Sequence, residues 1–177
     1  MSGYLEVIVG PMFSGKTSYL IDVYKNHQDS SQTLKVINYS LDTRYDSEML
    51  SSHDLVKIPC CFTASLENEY ESCKESDIIL INEGQFFPDL KKYVFALVEE
   101  HHKTVYICGL DSDFQRNKFG ELLDLIPYSN KITKLNARCE CGGDAIFSHR
   151  IVDSTDQVLI GSTNYQPLCR ECYHKKN

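Results

Sequence analysis

At 177 residues the chain has room for one sizeable core and a small satellite lobe. Its net charge of −7 and its pI near 5.3 argue against a surface built to gather nucleic-acid phosphates and favour a small-molecule substrate. No apolar run approaches the roughly 20 residues that span a bilayer, and "MSGYLEVIVG" enters a strand-like run without a signal-peptide pattern, so a cytoplasmic protein is expected, with no membrane and no nucleic-acid partner.

The first strand-like run, "YLEVIVG", leads directly into "GPMFSGKT" at 10–17, and a helix with Tyr19, Leu20, Val23 and Tyr24 on one face follows. This is G-x-x-x-x-G-K-[ST] in its required strand–loop–helix setting. Gly10 and Gly15 let the backbone close on phosphate. The loop of Pro11, Met12, Phe13 and Ser14 wraps the anion, with the N–H groups of the loop and the helix start, which Pro11 itself lacks, pointing at it; Lys16 supplies a charge, and Thr17 offers a hydroxyl to Mg²⁺. A site for ATP or another nucleoside triphosphate is expected here, rather than a glycine-rich turn with an incidental lysine.

"LKVINYS" reads as a second strand and "DIILIN" as a third; the latter runs into Asn82 and Glu83. An acid at the carboxyl end of a buried strand lies where open α/β sheets bind ligands, and it suits holding a metal-bound water or taking a proton. The competing reading is that Glu83 caps the helix that follows. Leu90, Tyr93, Val94, Leu97 and Val98 repeat with helical spacing, and "KTVYICG" reads as a fourth strand. The segment "DSDFQRNKFGELL" mixes glycine, charge and phenylalanine, which suits a mobile lid.

Alternating strands and helices predict an α/β fold with a mainly parallel, RecA-like sheet in a P-loop NTPase core. Composition shifts near Asn136, so residues 1–135 are expected to form the ATP-binding core and 136–177 a separate small lobe. Of the eight cysteines, Cys60, Cys61, Cys73 and Cys108 read as structural. Cys139, Cys141, Cys169 and Cys172 form two tight pairs, "CEC" and "CREC", which point to a metal in a chain where lasting disulfides are not expected; His174 is a weaker candidate ligand.

Five ordered motifs, "GPMFSGKT", "LDTRYD" at 41–46, "NEGQFFPD" at 82–89, "GLDSDFQRNKFG" at 109–120 and "CREC", together resemble the zinc-containing type II thymidine kinases of animals, bacteria and large DNA viruses. The resemblance covers nearly the whole chain, and the compact ends resemble a viral member, which would work in the host cytoplasm. It implies transfer of the γ-phosphate of ATP to the 5′-hydroxyl of thymidine. Glu83 is then the base, with Lys16 and Arg44 on the transferring phosphate and Asp42 near the sugar hydroxyls or the magnesium. Thr17, Asp42 and Asn82 are the magnesium candidates. The base is expected among Met12, Phe86, Leu110, Phe114, Phe119 and Tyr165, with Asp42 on the sugar. Structural Zn²⁺ falls to Cys139, Cys141, Cys169 and Cys172, rooting the loop "STDQVLIGSTNYQ" that would cover the nucleoside. A homotetramer and feedback inhibition by dTTP are also implied.

Two departures stand out. Asn82 occupies a position where the family usually has aspartate, and "CEC" has one intervening residue where two are usual. An amide lacks the charge that helps hold magnesium, so a higher magnesium requirement is expected. The rival readings are a nucleic-acid-dependent ATPase built from a P-loop and a zinc ribbon, and a nucleotide-binding module that has lost activity through Asn82.

Overall fold

Four consecutive apolar residues at Ile78–Ile81 call for cover on both faces of a strand, and the computed structural model supplies it. The structure describes residues 2–40, 49–51, 56–159 and 161–176. Its strands are β1 (Tyr4–Val9), β2 (Leu34–Tyr39), β3 (Met49–Ser51), β4 (Lys57–Pro59), β5 (Cys61–Thr63), β6 (Ile78–Ile81), β7 (Thr104–Gly109) and β8 (Lys131–Lys134) in the first part. The four expected strands are all present, as β1, β2, β6 and β7. They belong to a six-stranded sheet of order β5-β2-β6-β7-β1-β8, in which every pairing is parallel. β3 and β4 form a separate antiparallel pair.

Successive residues of β6 point to opposite faces. Ile79 and Ile81 pack with Val7, Val9, Val105, Ile107, Leu90, Val94 and Leu97 on one side, while Ile78 and Leu80 pack with Ile8, Leu20, Ile21 and Cys108 on the other. Helix α1 (Lys16–His27) covers the second side, burying Leu20 and Ile21. The expected apolar helix face is also found. Helix α3 (Leu90–Phe95), which follows the short α2 (Tyr70–Lys74), widens into a π-helical turn at Ala96–Glu100, and Leu90, Tyr93, Val94, Leu97 and Val98 are all buried. Of the four cysteines read as structural, Cys73 and Cys108 are buried and Cys60 and Cys61 half-buried. Burial pushes the Cys73 thiol up to about 12 and the Cys61 thiol up to about 11, as expected for inert packing groups.

One acid lies within the sheet itself. Glu6 of β1 is buried facing α1 and accepts hydrogen bonds from Tyr19 Oη (2.8 Å), Thr133 Oγ1 (2.7 Å) and Tyr4 Oη (3.2 Å), with Lys131 Nζ at 3.0 Å. Burial works to raise its pKa, but the bonds from Thr133, Tyr19 and Lys131 outweigh it and hold the carboxyl below 4.5.

After β8 come β9 (Ala137–Arg138), β10 (Asp144–Ala145), β11 (Phe147–Arg150), β12 (Tyr165–Leu168) and helix α4 (Arg170–Lys176). β9 pairs with β10 and β11 with β12, both antiparallel. Ala137, Cys139, Ala145, Leu168 and Tyr173 form a small apolar cluster of their own. No helix among the described residues is long and apolar enough to cross a membrane.

Candidate active site

Because β1, β7 and β6 are parallel neighbours, their carboxyl ends open on one edge of the sheet, and β7 spaces the phosphate loop from Glu83. The loop is shaped for an anion. A Cβ on Gly10 would lie 2.4 Å from the Leu135 carbonyl oxygen, and Gly15 adopts φ 80°, so both positions require glycine. Gly15 precedes the first turn of α1, which carries no acidic residue, leaving its N–H groups and positive dipole end facing the loop. Lys16 is buried, with Nζ donating to the Pro11 carbonyl at 2.7 Å and approaching Ser14 Oγ at 3.4 Å.

Thr17 Oγ1 donates to Asn82 Oδ1 at 3.4 Å. Asn82 is buried, its amide nitrogen donates to Asn38 Oδ1 at 2.9 Å, and its oxygen also accepts from Cys108 Sγ at 3.0 Å. The neutral amide therefore still turns its oxygen toward Thr17. A hydroxyl and an amide oxygen suit a hard cation such as Mg²⁺, although without the charge an aspartate would add.

Glu83 is half-buried and adopts φ 56°, ψ 42°. This left-handed conformation costs a non-glycine residue about 1–2 kcal/mol. Glu83 does precede the 3-10 turn Gly84–Phe86, but its side chain makes no capping hydrogen bond. Its Oε2 instead accepts from Gln85 Nε2 at 2.5 Å, and Gln85 Oε1 accepts from the Leu110 N–H at 3.0 Å. Gln85, only 3% exposed, thus ties the acid at the end of β6 to the end of β7.

A cavity of about 200 Å³ runs from the phosphate loop into an aromatic box. Met12, Phe13, Ser14, Gly15, Lys16 and Thr17 line it at one end, with Glu83 on its wall. Every described residue expected at the nucleoside, namely Met12, Phe86, Leu110, Phe114, Phe119 and Tyr165, also lines it. Tyr39 stacks on Phe86 (centroids 5.2 Å apart, 24° between planes) and Phe119 meets Phe86 edge-on at 5.3 Å. Phe119 is 7% exposed, so it serves the core and the cavity together. Asp42 and Arg44 lie outside the described residues.

Several cavity residues were not singled out from the sequence, although Gln85, Asp113 and Gln157 lie inside segments that were. Tyr39, Gln85 and Asp113 are distant in the chain from the glycine-rich loop, Ser148 lies outside every motif, and Gln157 lies in the loop expected to cover the nucleoside. Ser148 Oγ accepts from the Met12 N–H at 3.0 Å, and Gln157 Nε2 donates to Asp113 Oδ2 at 3.0 Å, so the C-terminal segment closes the cavity from the far side.

The four paired cysteines converge, with all sulfurs within 4.8 Å of one another and Cys141 Sγ 3.7 Å from Cys169 Sγ. A tetrahedron with metal–sulfur bonds of about 2.3 Å has edges of about 3.8 Å, so the donor set fits zinc, and the short "CEC" spacing does not prevent it. Backbone N–H groups, chiefly that of Cys169, draw the Cys139 thiol down to about 6, while crowding by the neighbouring sulfurs Cys169 and Cys141 pushes Cys172 up to about 12. A cation relieves that crowding. His174 is exposed and outside the cluster. Next to Cys172, Tyr173 donates its hydroxyl to the Phe114 carbonyl at 2.7 Å, which connects the cysteine cluster to the cavity wall.

In sequence, the chain that builds this phosphate loop, acid and aromatic box is similar to known proteins of one kind. The family profile described as "Thymidine kinase" matches residues 3–173. The thymidine kinase of sheeppox virus is 40% identical, the alignment covering 97% of each chain. A rice thymidine kinase is 39% identical over 97% of this chain and 66% of its own length. The chicken protein named "Thymidine kinase, cytosolic" is 35% identical over 98% of this chain and 78% of its own. With the profile spanning nearly every residue, phosphate loop to cysteine cluster, the chain belongs to the thymidine kinase family.

Proposed function

We propose that this chain transfers the γ-phosphate of ATP to the 5′-hydroxyl of thymidine, giving dTMP and ADP. The observation that carries the proposal is that one cavity holds the phosphate loop at one end, an aromatic box at the other and the Glu83 carboxylate on its wall. ATP phosphates fit the loop of residues 10–17 through the N–H groups from Phe13 to Thr17, with Lys16 turning from the Pro11 carbonyl to the anion. Thymine fits between Phe86, Phe114, Phe119 and Tyr165, with Met12 and Leu110 completing the walls. Glu83, held by Gln85, accepts the proton of the 5′-hydroxyl as its oxygen attacks the γ-phosphorus in line with the departing ADP oxygen. Arg44 is assigned to the equatorial oxygens of the transferring group and Asp42 to the sugar hydroxyls or the magnesium.

Magnesium is assigned to Thr17 and Asn82, whose oxygens are 3.4 Å apart, together with Asp42. Bound there it neutralises phosphate charge. Zinc is assigned to Cys139, Cys141, Cys169 and Cys172 as a closed structural site. Residues 1–135 then act as the ATP-binding core and 136–177 as the zinc lobe. A homotetramer, inhibition by dTTP and a cytoplasmic location complete the proposal, the last supported by the cytosolic name of the chicken relative.

The test is transfer of labelled γ-phosphate from ATP to thymidine, deoxyuridine, deoxycytidine and deoxyadenosine, with Glu83→Gln in parallel. Thymidine is expected to react best. Deoxyuridine reacts less well, because one methyl in an apolar pocket is worth about 1–3 kcal/mol, and Glu83→Gln loses about 10²–10⁴-fold in kcat. A folded, ATP-binding protein that labels no nucleoside overturns the assignment.

A further inference from the structure

The segment between β11 and β12 covers the cavity with Gln157, Val158 and Leu159, yet it has little apolar burial to hold it. Ile151, Val152 and Val158 are 55%, 40% and 47% exposed. What orders it is one cation. Arg150, the last residue of β11 and the cross-strand partner of Tyr165, is 6% exposed. Its Nη1 donates to the carbonyls of Ser154 (3.1 Å) and Asp156, and its Nη2 to the Gln157 carbonyl (3.2 Å) and Tyr165 Oη (2.5 Å). The guanidinium carbon also lies 3.8 Å from the centroid of Phe114, on the 110–119 segment, and 5.1 Å from that of Tyr165. Among the described residues its charge meets carbonyl dipoles and ring faces rather than a carboxylate. A planar fork with several donors suits that arrangement; an ammonium does not reproduce it.

We propose that Arg150 is the positioning residue that holds the base-covering loop against Phe114, so that it sets nucleoside affinity without entering phosphoryl transfer. The inference rests on the reading of this cavity as the nucleoside site. Arg150 lies behind the walls: the residues it grips, Phe114, Gln157 and Tyr165, face the cavity, whereas its own side chain is not among the lining. Removing it leaves three loop carbonyls and the Tyr165 hydroxyl without their common partner. The two walls then lose their connection through Arg150, and nucleoside binding must supply the ordering.

The experiment compares the full-length, zinc-loaded protein with Arg150→Met, Arg150→Lys and Tyr165→Phe. For Arg150→Met the KM for thymidine is expected to rise about tenfold or more, with kcat within about threefold and the KM for ATP within about twofold. Arg150→Lys does not restore it, and Tyr165→Phe, which keeps the ring and removes one acceptor, gives a smaller rise. In parallel, amide exchange over residues 152–159 of the ligand-free proteins is expected to quicken about tenfold or more in Arg150→Met, with the strands of the central sheet unchanged. Full rescue by lysine, an equal rise in both KM values or unchanged exchange in the loop overturns the proposal. If the native protein phosphorylates no thymidine the functional reading fails, and the exchange measurement still decides whether Arg150 holds the loop.

Discussion

Replacing Gln85 with leucine is expected to lower kcat by about 10²-fold while leaving ATP binding intact. The side chain is 3% exposed and makes two bonds, to Glu83 Oε2 at 2.5 Å and from the Leu110 N–H at 3.0 Å. Leucine fills similar space and makes neither. The Leu110 N–H loses a buried partner at about 1–3 kcal/mol, whereas half-exposed Glu83 can turn to water and loses less, so a total of about 2–3 kcal/mol is expected. At about 2–4 °C per kcal/mol for a domain of this size, the melting temperature falls by about 5–10 °C. The larger effect is on rate. Glu83, the proposed base, occupies a strained backbone position and depends on Gln85 for its aim, and displacement of a catalytic group by about 1 Å costs about 10²-fold. Steady-state kinetics with thymidine and ATP, a nucleotide-binding titration and a thermal melt separate the contributions. A kcat within about twofold of native, with the expected loss of melting temperature, would show that Gln85 only supports the fold and refute the reasoning.

Three further outcomes are expected. Asn82→Asp lowers the magnesium concentration for half-maximal activity, because a charged oxygen replaces a neutral one beside Thr17; superimposable magnesium titrations sink that idea. Chelating the zinc proposed for the cysteine cluster raises the KM for thymidine more than that for ATP, since Tyr173 connects that cluster to Phe114; metal loss confirmed by elemental analysis with thymidine affinity unchanged contradicts it. Glu6→Gln destabilises the fold at neutral pH by about 1–3 kcal/mol, as the charge-assisted bonds from Tyr19 and Thr133 become neutral ones and the Lys131 ammonium loses its carboxylate partner. Because the folded pKa of Glu6 lies below 4.5, the native advantage is complete above that value and fades as pH falls through the folded pKa; denaturant melts whose difference is equally large at low and neutral pH argue against it.

Much of the architecture was legible because its signals are local. Strand runs such as Ile78–Ile81 are continuously apolar since both faces are covered, and the 90–98 periodicity follows from one buried helix face. The phosphate loop reads directly because closing backbone on an anion needs glycine at Gly10 and Gly15 and a cation at Lys16. The paired cysteines read as ligands from spacing alone. Roles that arise from neighbours in space left no such trace, even for Gln85, which lies inside "NEGQFFPD". Gln85 is an ordinary amide until β7 brings the Leu110 N–H beside it, and Arg150 is an ordinary surface cation until the 151–159 segment folds back over it.

Local sequence chemistry therefore decided which segments become strands, where the glycine-rich loop lies and which sulfurs converge, since each depends on periodicity or on residues close in the chain. The choice of β7 as the spacer between β1 and β6, the aim of Glu83 and the joining of the C-terminal segment to Met12, Asp113 and Phe114 were decided by folding. These contacts pair groups up to 136 residues apart, and no local preference encodes them. They form because buried polar groups must find partners once the sheet and its helices have excluded water.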